Sequence, residues 1–182
     1  MTDPAVSIAV FAASGVALKL ADRWGERGVS PWGYVAAAAC AAAFWFLIQG
    51  DANVATVVLA IVVGNVLALK TDKPNLIVGV ALLAGLSLAF GYSLPVFPLL
   101  VPLVAAALLD ELLHDKQWGP AVARRLFRYR ILMKGLVVAL GLAGLLMPAA
   151  TVGFILFDVG YDATAYALET RGLVRLDASG IK

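Results

Sequence analysis

The segment Asp158-Val-Gly-Tyr161-Asp162-Ala-Thr-Ala-Tyr166-Ala-Leu-Glu169 sets three carboxylates into an apolar stretch at intervals of four and seven residues. On a helix those intervals share one face. A carboxylate in hydrocarbon costs about 2.5–3.5 kcal/mol on insertion scales, so such a stripe must face protein or water. Its chemistry is the handling of cations or protons, or an interhelical ion pair with Lys19, Lys70 or Lys134.

Three further groups share this character. Asp110-Glu111-Leu-Leu-His114-Asp115 carries the chain's one histidine. Its imidazole falls four residues after Asp110 and three after Glu111, so both carboxylates reach its helical face, the pattern of a metal site or a proton relay. Asn65 and Asp72 are seven apart, and Lys70-Thr71-Asp72-Lys73-Pro74-Asn75 doubles as a turn signal. Asp22 and Glu26 are one helical turn apart, and Arg23 beside them predicts an internal ion pair. The basic run Arg124-Arg125-Leu-Phe-Arg128-Tyr129-Arg130 can rest on anionic lipid or clamp phosphate in bidentate fashion.

These groups must be positioned by a chain that is 62% hydrophobic and 14% charged over 182 residues. A soluble domain carries about 25% charge. The apolar residues fall in runs near the roughly 20 residues that span a hydrocarbon core. The pattern predicts an all-α, polytopic integral membrane protein of one domain, residues 1–182, with seven transmembrane helices. They run over about 5–20, 33–48, 52–69, 76–92, 94–113, 131–147 and 149–168. The linker 114–130 has the composition of a short interfacial helix. The alternative is six spans, with 131–157 as one long helix kinked at Pro148. The N-terminus has no basic n-region, so the first apolar run is expected to stay as a span.

Charge fixes the expected orientation. With the N-terminus outside, the inner segments collect three, two, six and three Lys and Arg residues, which is all 14 in the chain. That is the positive-inside pattern, N-out and C-in, and it places Trp24, Trp32 and Trp118 at the inner interface and Trp45 at the outer one. Of the 12 acids only Asp3 and Asp51 fall outside. The lone Cys40 sits in an alanine run and reads as a small buried side chain.

The sequence lacks a Gly-rich phosphate loop, a nucleophile elbow, a His-Glu-x-x-His helix and a Cys/His zinc pattern. It also lacks a basic, aromatic surface for nucleic acid. What remains is a multi-pass cell-membrane protein whose functional face is cytoplasmic. The first expectation is an enzyme acting on a membrane lipid with a phosphate or diphosphate headgroup, by phosphoryl, nucleotidyl or prenyl transfer. In it Asp110, Glu111, His114, Asp158 and Asp162 hold a divalent cation, Mg2+ by preference for carboxylate oxygen. Asp158, Asp162, Lys70 and Asp72 carry the chemistry, and Asn65, Arg124, Arg125 and Arg128 hold the substrate. Two alternatives compete with it: a proton- or cation-coupled transporter using Asp158 and Asp162, and a non-catalytic membrane subunit whose charges are ion pairs. Sparse polar groups near the outer end (Gln49, Asp51, Thr56, Ser93, Thr151) weigh against the transporter.

Overall fold

The computed structural model describes residues 3–116 and 130–170, which form helices joined by short turns and loops, without a strand. The helices are α1 (Pro4–Glu26), α2 (Pro31–Gly50), α3 (Ala52–Leu67), α4 (Pro74–Phe90), α5 (Phe97–Lys116), α6 (Ile131–Leu142) and α7 (Pro148–Thr170). Boundaries follow local chemistry. Proline begins α1, α2 and α4 at the position where its missing N–H costs nothing. Asp3 caps α1 by accepting from the Ala5 amide at 2.8 Å, and Asp51 caps α3 through the amides of Asn53 and Val54.

The expected spans correspond to seven helices, but not to seven full-length spans. By length and composition α1 and α2 are long and apolar enough to cross a membrane, while α3, α4 and α6 are apolar but shorter. The largest departure is α6. It stops at Leu142 because Gly144 turns left-handed at φ +72, and the amides of Leu145 and Leu146 fold back onto the Leu140 carbonyl. Its 12 residues rise only about 18 Å. The same break makes α6 and α7 two helices, so the long helix kinked at Pro148 does not form. The linker expected as an interfacial helix lies outside the described residues, apart from the helical turn that extends α5 to Lys116.

Helix packing uses small residues. α1 lies along α7, and three glycines let the backbones touch: a methyl at Gly15 would overlap the Phe157 carbonyl, one at Gly153 the Phe11 ring, and one at Gly160 would come within 2.7 Å of the Ala12 carbonyl. Gly64 gives α3 the same access to Ala107 of α5, and Gly79 gives α4 access to Ala37 of α2. α3 is the central helix, with Val54 to Val58, Ala60 and Ile61 buried. Large apolar side chains point outward instead: Val35, Ile77, Leu82, Val101, Leu142 and Val152 are all exposed. The interior combines alanines at close helix contacts with Phe11, Phe44, Leu47, Leu103 and Phe154, while the outer surface still carries large aliphatic side chains. Gly15→Ala is expected to destabilise the fold by about 1–3 kcal/mol, because neither backbone can yield. Gly135→Ala, which meets open space, should be neutral or stabilising. Thermal unfolding in detergent compares the two.

Successive helices alternate in direction, so one end of the bundle gathers Lys19, Arg23, Lys70, Lys73, Arg130 and Lys134. The opposite end carries Asp3 and Asp51 and no described base. There the polar groups act as staples. Ser93 binds the Ile48 and Gln49 carbonyls, Gln49 reaches the Phe90 carbonyl at 3.3 Å, and Thr56 accepts from the Val96 amide while donating to Ala52. Trp45 meets Phe90 edge-on at that end.

A charged cavity at one end of the helix bundle

α2 and α3 are joined at Asp51 and part toward the charged end. Between them opens a cavity of about 1140 Å³. Its α2 wall runs from Ala37 through Cys40 and Ala41 to Phe44, and its α3 wall comes from the charged-end half of that helix (Ile61, Val62, Asn65). Phe44, Phe154 and Phe157 close its deep end, where Phe44 and Phe157 lie 5.9 Å apart. Toward the mouth the lining turns ionic. Among the described lining residues are six bases and eight acids.

Three ion-pair groups form this mouth. The first ties α1, α4 and α7. Lys73, which caps the start of α4, binds the Asp22 carboxylate and reaches Glu26 at 3.5 Å. Burial works against its charge, but the bond and charge of Asp22, with Glu26, hold its pKa above the ordinary lysine range. Lys19 lies 3.6 Å from Asp22, and its ammonium sits 4.5 Å from the centre of the Tyr161 ring. The Tyr161 hydroxyl accepts from Lys19 and donates to Asp22, both at 3.4 Å. Arg23 binds Glu26 at 2.8 Å, the internal pair expected from their spacing, and adds Glu169 of α7 at 3.3 Å. Asn75, 4% exposed, donates to the Ala21 and Gly33 carbonyls and fastens α4 to its neighbours.

The second group joins α5 to the start of α6. Arg130 forks onto Glu111, Nε to Oε1 at 2.9 Å and Nη2 to Oε2 at 3.3 Å. Burial opposes the Arg130 charge, yet Glu111 keeps its pKa above the usual guanidinium value. The guanidinium lies 5.4 Å from the centre of the Tyr161 ring, so that ring meets two cations. Asp110, 2% exposed, accepts from the Leu132 and Met133 amides at 3.0 and 2.8 Å. It therefore caps α6 from another helix and satisfies the orphan amides of that N-terminus. The third group joins α6 to α7: Lys134 binds Asp158 at 2.7 Å and approaches Asp162 at 4.0 Å.

The residues expected from sequence are thus partly united. Asn65, Lys70, Asp72, Asp110, Glu111, Asp158 and Asp162 all line the one cavity. Arg124, Arg125 and Arg128 lie outside the described residues, as does the side chain of His114. Asn65 donates to the Ile61 carbonyl of its own helix at 2.8 Å. Among the described residues no three Asp, Glu, His or Cys groups converge as metal donors, and the side chain of His114, a member of the expected Mg2+ set, lies outside them. Asp110 is committed to two amides, Glu111 to Arg130 and Asp158 to Lys134, so the donors fit a resident cation poorly. Cys40 is 4% exposed with Sγ near the Ser14 carbonyl, as expected of a packing residue.

Tyr161, like the floor residues Phe44, Phe154 and Phe157, is a cavity residue that sequence reasoning passed over. Its signal was present, three residues after Asp158 and therefore on the same stripe. The chain matches no protein-family model, and no curated protein or solved structure shows significant similarity to it.

Proposed function

We propose that the chain is a multi-pass membrane protein, N-out and C-in, whose cytoplasm-facing cavity binds a lipid with a phosphate or diphosphate headgroup and serves its transfer chemistry. The observation that carries this reading is the amphipathic cavity itself. Phe44, Phe154 and Phe157 offer a floor for hydrocarbon, and Lys19, Lys70, Lys73, Arg130 and Lys134 offer charge at the mouth. The outward-facing aliphatic side chains and the gathering of the described bases at one end of the bundle support the placement in a membrane. Acids outnumber bases in the lining, so a diphosphate is best accommodated as its Mg2+ salt, the cation arriving with the substrate. Asp162, the more exposed carboxylate of the Lys134 pair, is the residue nearest to hand for proton transfer.

Asp162→Asn tests the reading with little structural cost, since its contact with Lys134 is 4.0 Å and its side chain is 58% exposed. Turnover of lipid phosphates and diphosphates by the reconstituted protein is expected to fall at least about 100-fold, as for removal of a general acid or base. Unchanged turnover would sink the catalytic assignment. The transporter reading loses support from the uncharged end, where Gln49, Ser93 and Thr56 are used as staples and α3 is buried on all sides. The non-catalytic reading draws on the ion pairs that join α1, α4 and α7, α5 and α6, and α6 and α7.

A further inference from the structure

α3 and α4 follow one another in the chain, yet they are not a packed pair. α4 rests on α2 and α1, whereas α3 packs on α5, α2 and α7. The interval between them is nevertheless lined from both sides: Val62 and Asn65 face it from α3, Leu76, Val80 and Leu83 from α4. α4 buries little besides Asn75, Gly79 and Leu83, and outside the interval Ile77, Val78 and Leu82 are exposed. Among the described residues, therefore, no helix closes this apolar side of the cavity, which is continuous with the ionic mouth at Lys70 and Lys73 on the linker between the same two helices.

From this we infer that the lipid reaches the cavity sideways, through the interval between α3 and α4, out of the leaflet on the charged side. This rests on the lipid-phosphate reading above and adds its route and pose. The headgroup slides along the Lys70–Lys73 linker, whose two lysines complement phosphate. One hydrocarbon chain stays in the interval against Val62, Val80 and Leu83. A water-soluble diphosphate meets the same cations from the aqueous mouth and never contacts Val80. The bound ligand is a lipid of at least one long chain, its phosphate at the ionic mouth and its chain along the apolar lining that runs from the interval to Phe44.

Two ligands separate the route from the site. Native mass spectrometry of the detergent-solubilised full chain reads retained dioleoyl phosphatidic acid, and calorimetry reads inorganic pyrophosphate with Mg2+. Val80→Trp is expected to weaken phosphatidic acid retention about tenfold and leave pyrophosphate binding within about twofold. Ile77→Trp, on the outer side of the same helix, should change neither. Equal retention in Val80→Trp and wild type overturns the route while leaving the site intact. Loss of pyrophosphate binding in Val80→Trp, or loss of lipid in Ile77→Trp as well, also overturns it. If wild type binds neither ligand, the lipid-phosphate reading fails and the route fails with it.

Discussion

Lys134→Met is expected to be among the most damaging single substitutions in this chain. It leaves Asp158 with a carboxylate that is about four-fifths buried and has lost its 2.7 Å partner. No other described base lies within ion-pair distance of it, and the neighbouring Asp162 is itself an acid. Removing one member of a buried pair costs about 3–5 kcal/mol, and partial exposure here places the expectation near the lower figure. Loss of stability by that amount would appear as reduced folded yield and a lower unfolding midpoint in detergent. The double variant Lys134→Met/Asp158→Leu removes both charges and should recover most of the stability, because a packed apolar pair is often as good as an ion pair. Function then separates the competing readings. A charge pair that only holds α6 to α7 predicts full recovery of activity with stability. A pair that faces a phosphate headgroup predicts a stable protein whose turnover stays depressed.

Much of this architecture is legible in the chain, for identifiable reasons. Apolar runs and Pro or Gly breaks are local features, so the number and order of helices follow from them: Pro31, Pro74 and Pro148 each begin the helix that follows. Which end collects charge is equally local, being carried by Lys19, Lys70, Arg130 and Lys134 at alternate helix ends. Pairing is different. Asp158 had three lysines within plausible reach, and only the packing of α6 against α7 selects Lys134 over Lys19, which instead meets Asp22 and Tyr161. Gly144 is ambiguous for another reason, because glycine in an apolar run serves equally as a packing surface or as a left-handed stop. Here it is the stop. The interval between α3 and α4 is not legible at all, since an unpacked pair leaves no mark in either helix's sequence.

Asp110 shows most sharply how tertiary context reassigns a residue, and its substitutions have the second large expected effect. From spacing alone it belongs to a metal set with Glu111 and His114. In the fold both of its oxygens accept backbone amides at the start of α6, a helix of only 12 residues that begins on the left-handed Arg130. No residue of α6 itself caps this end, because Arg130 makes no side-chain cap bond. Asp110→Ala therefore exposes two orphan amides in a buried setting. Loss of a cap is worth about 0.5–2 kcal/mol, and each buried unsatisfied donor about 1–3 kcal/mol more. A destabilisation of about 3 kcal/mol is expected, concentrated in α6, where amide hydrogen exchange should rise at Leu132 and Met133 first. Asp110→Asn keeps one acceptor and should lose about half as much. If Asp110 were instead a ligand, Asn would be nearly as harmful as Ala to Mg2+-dependent turnover while amide protection at α6 stayed native. The cap predicts the reverse order: protection falls in proportion to lost acceptors, and the Mg2+ dependence of the surviving activity is unchanged. Because Glu111 on the same helix holds Arg130, any loosening of the α6 start also frees the guanidinium beside Tyr161. The cap thus fixes one wall of the cavity mouth.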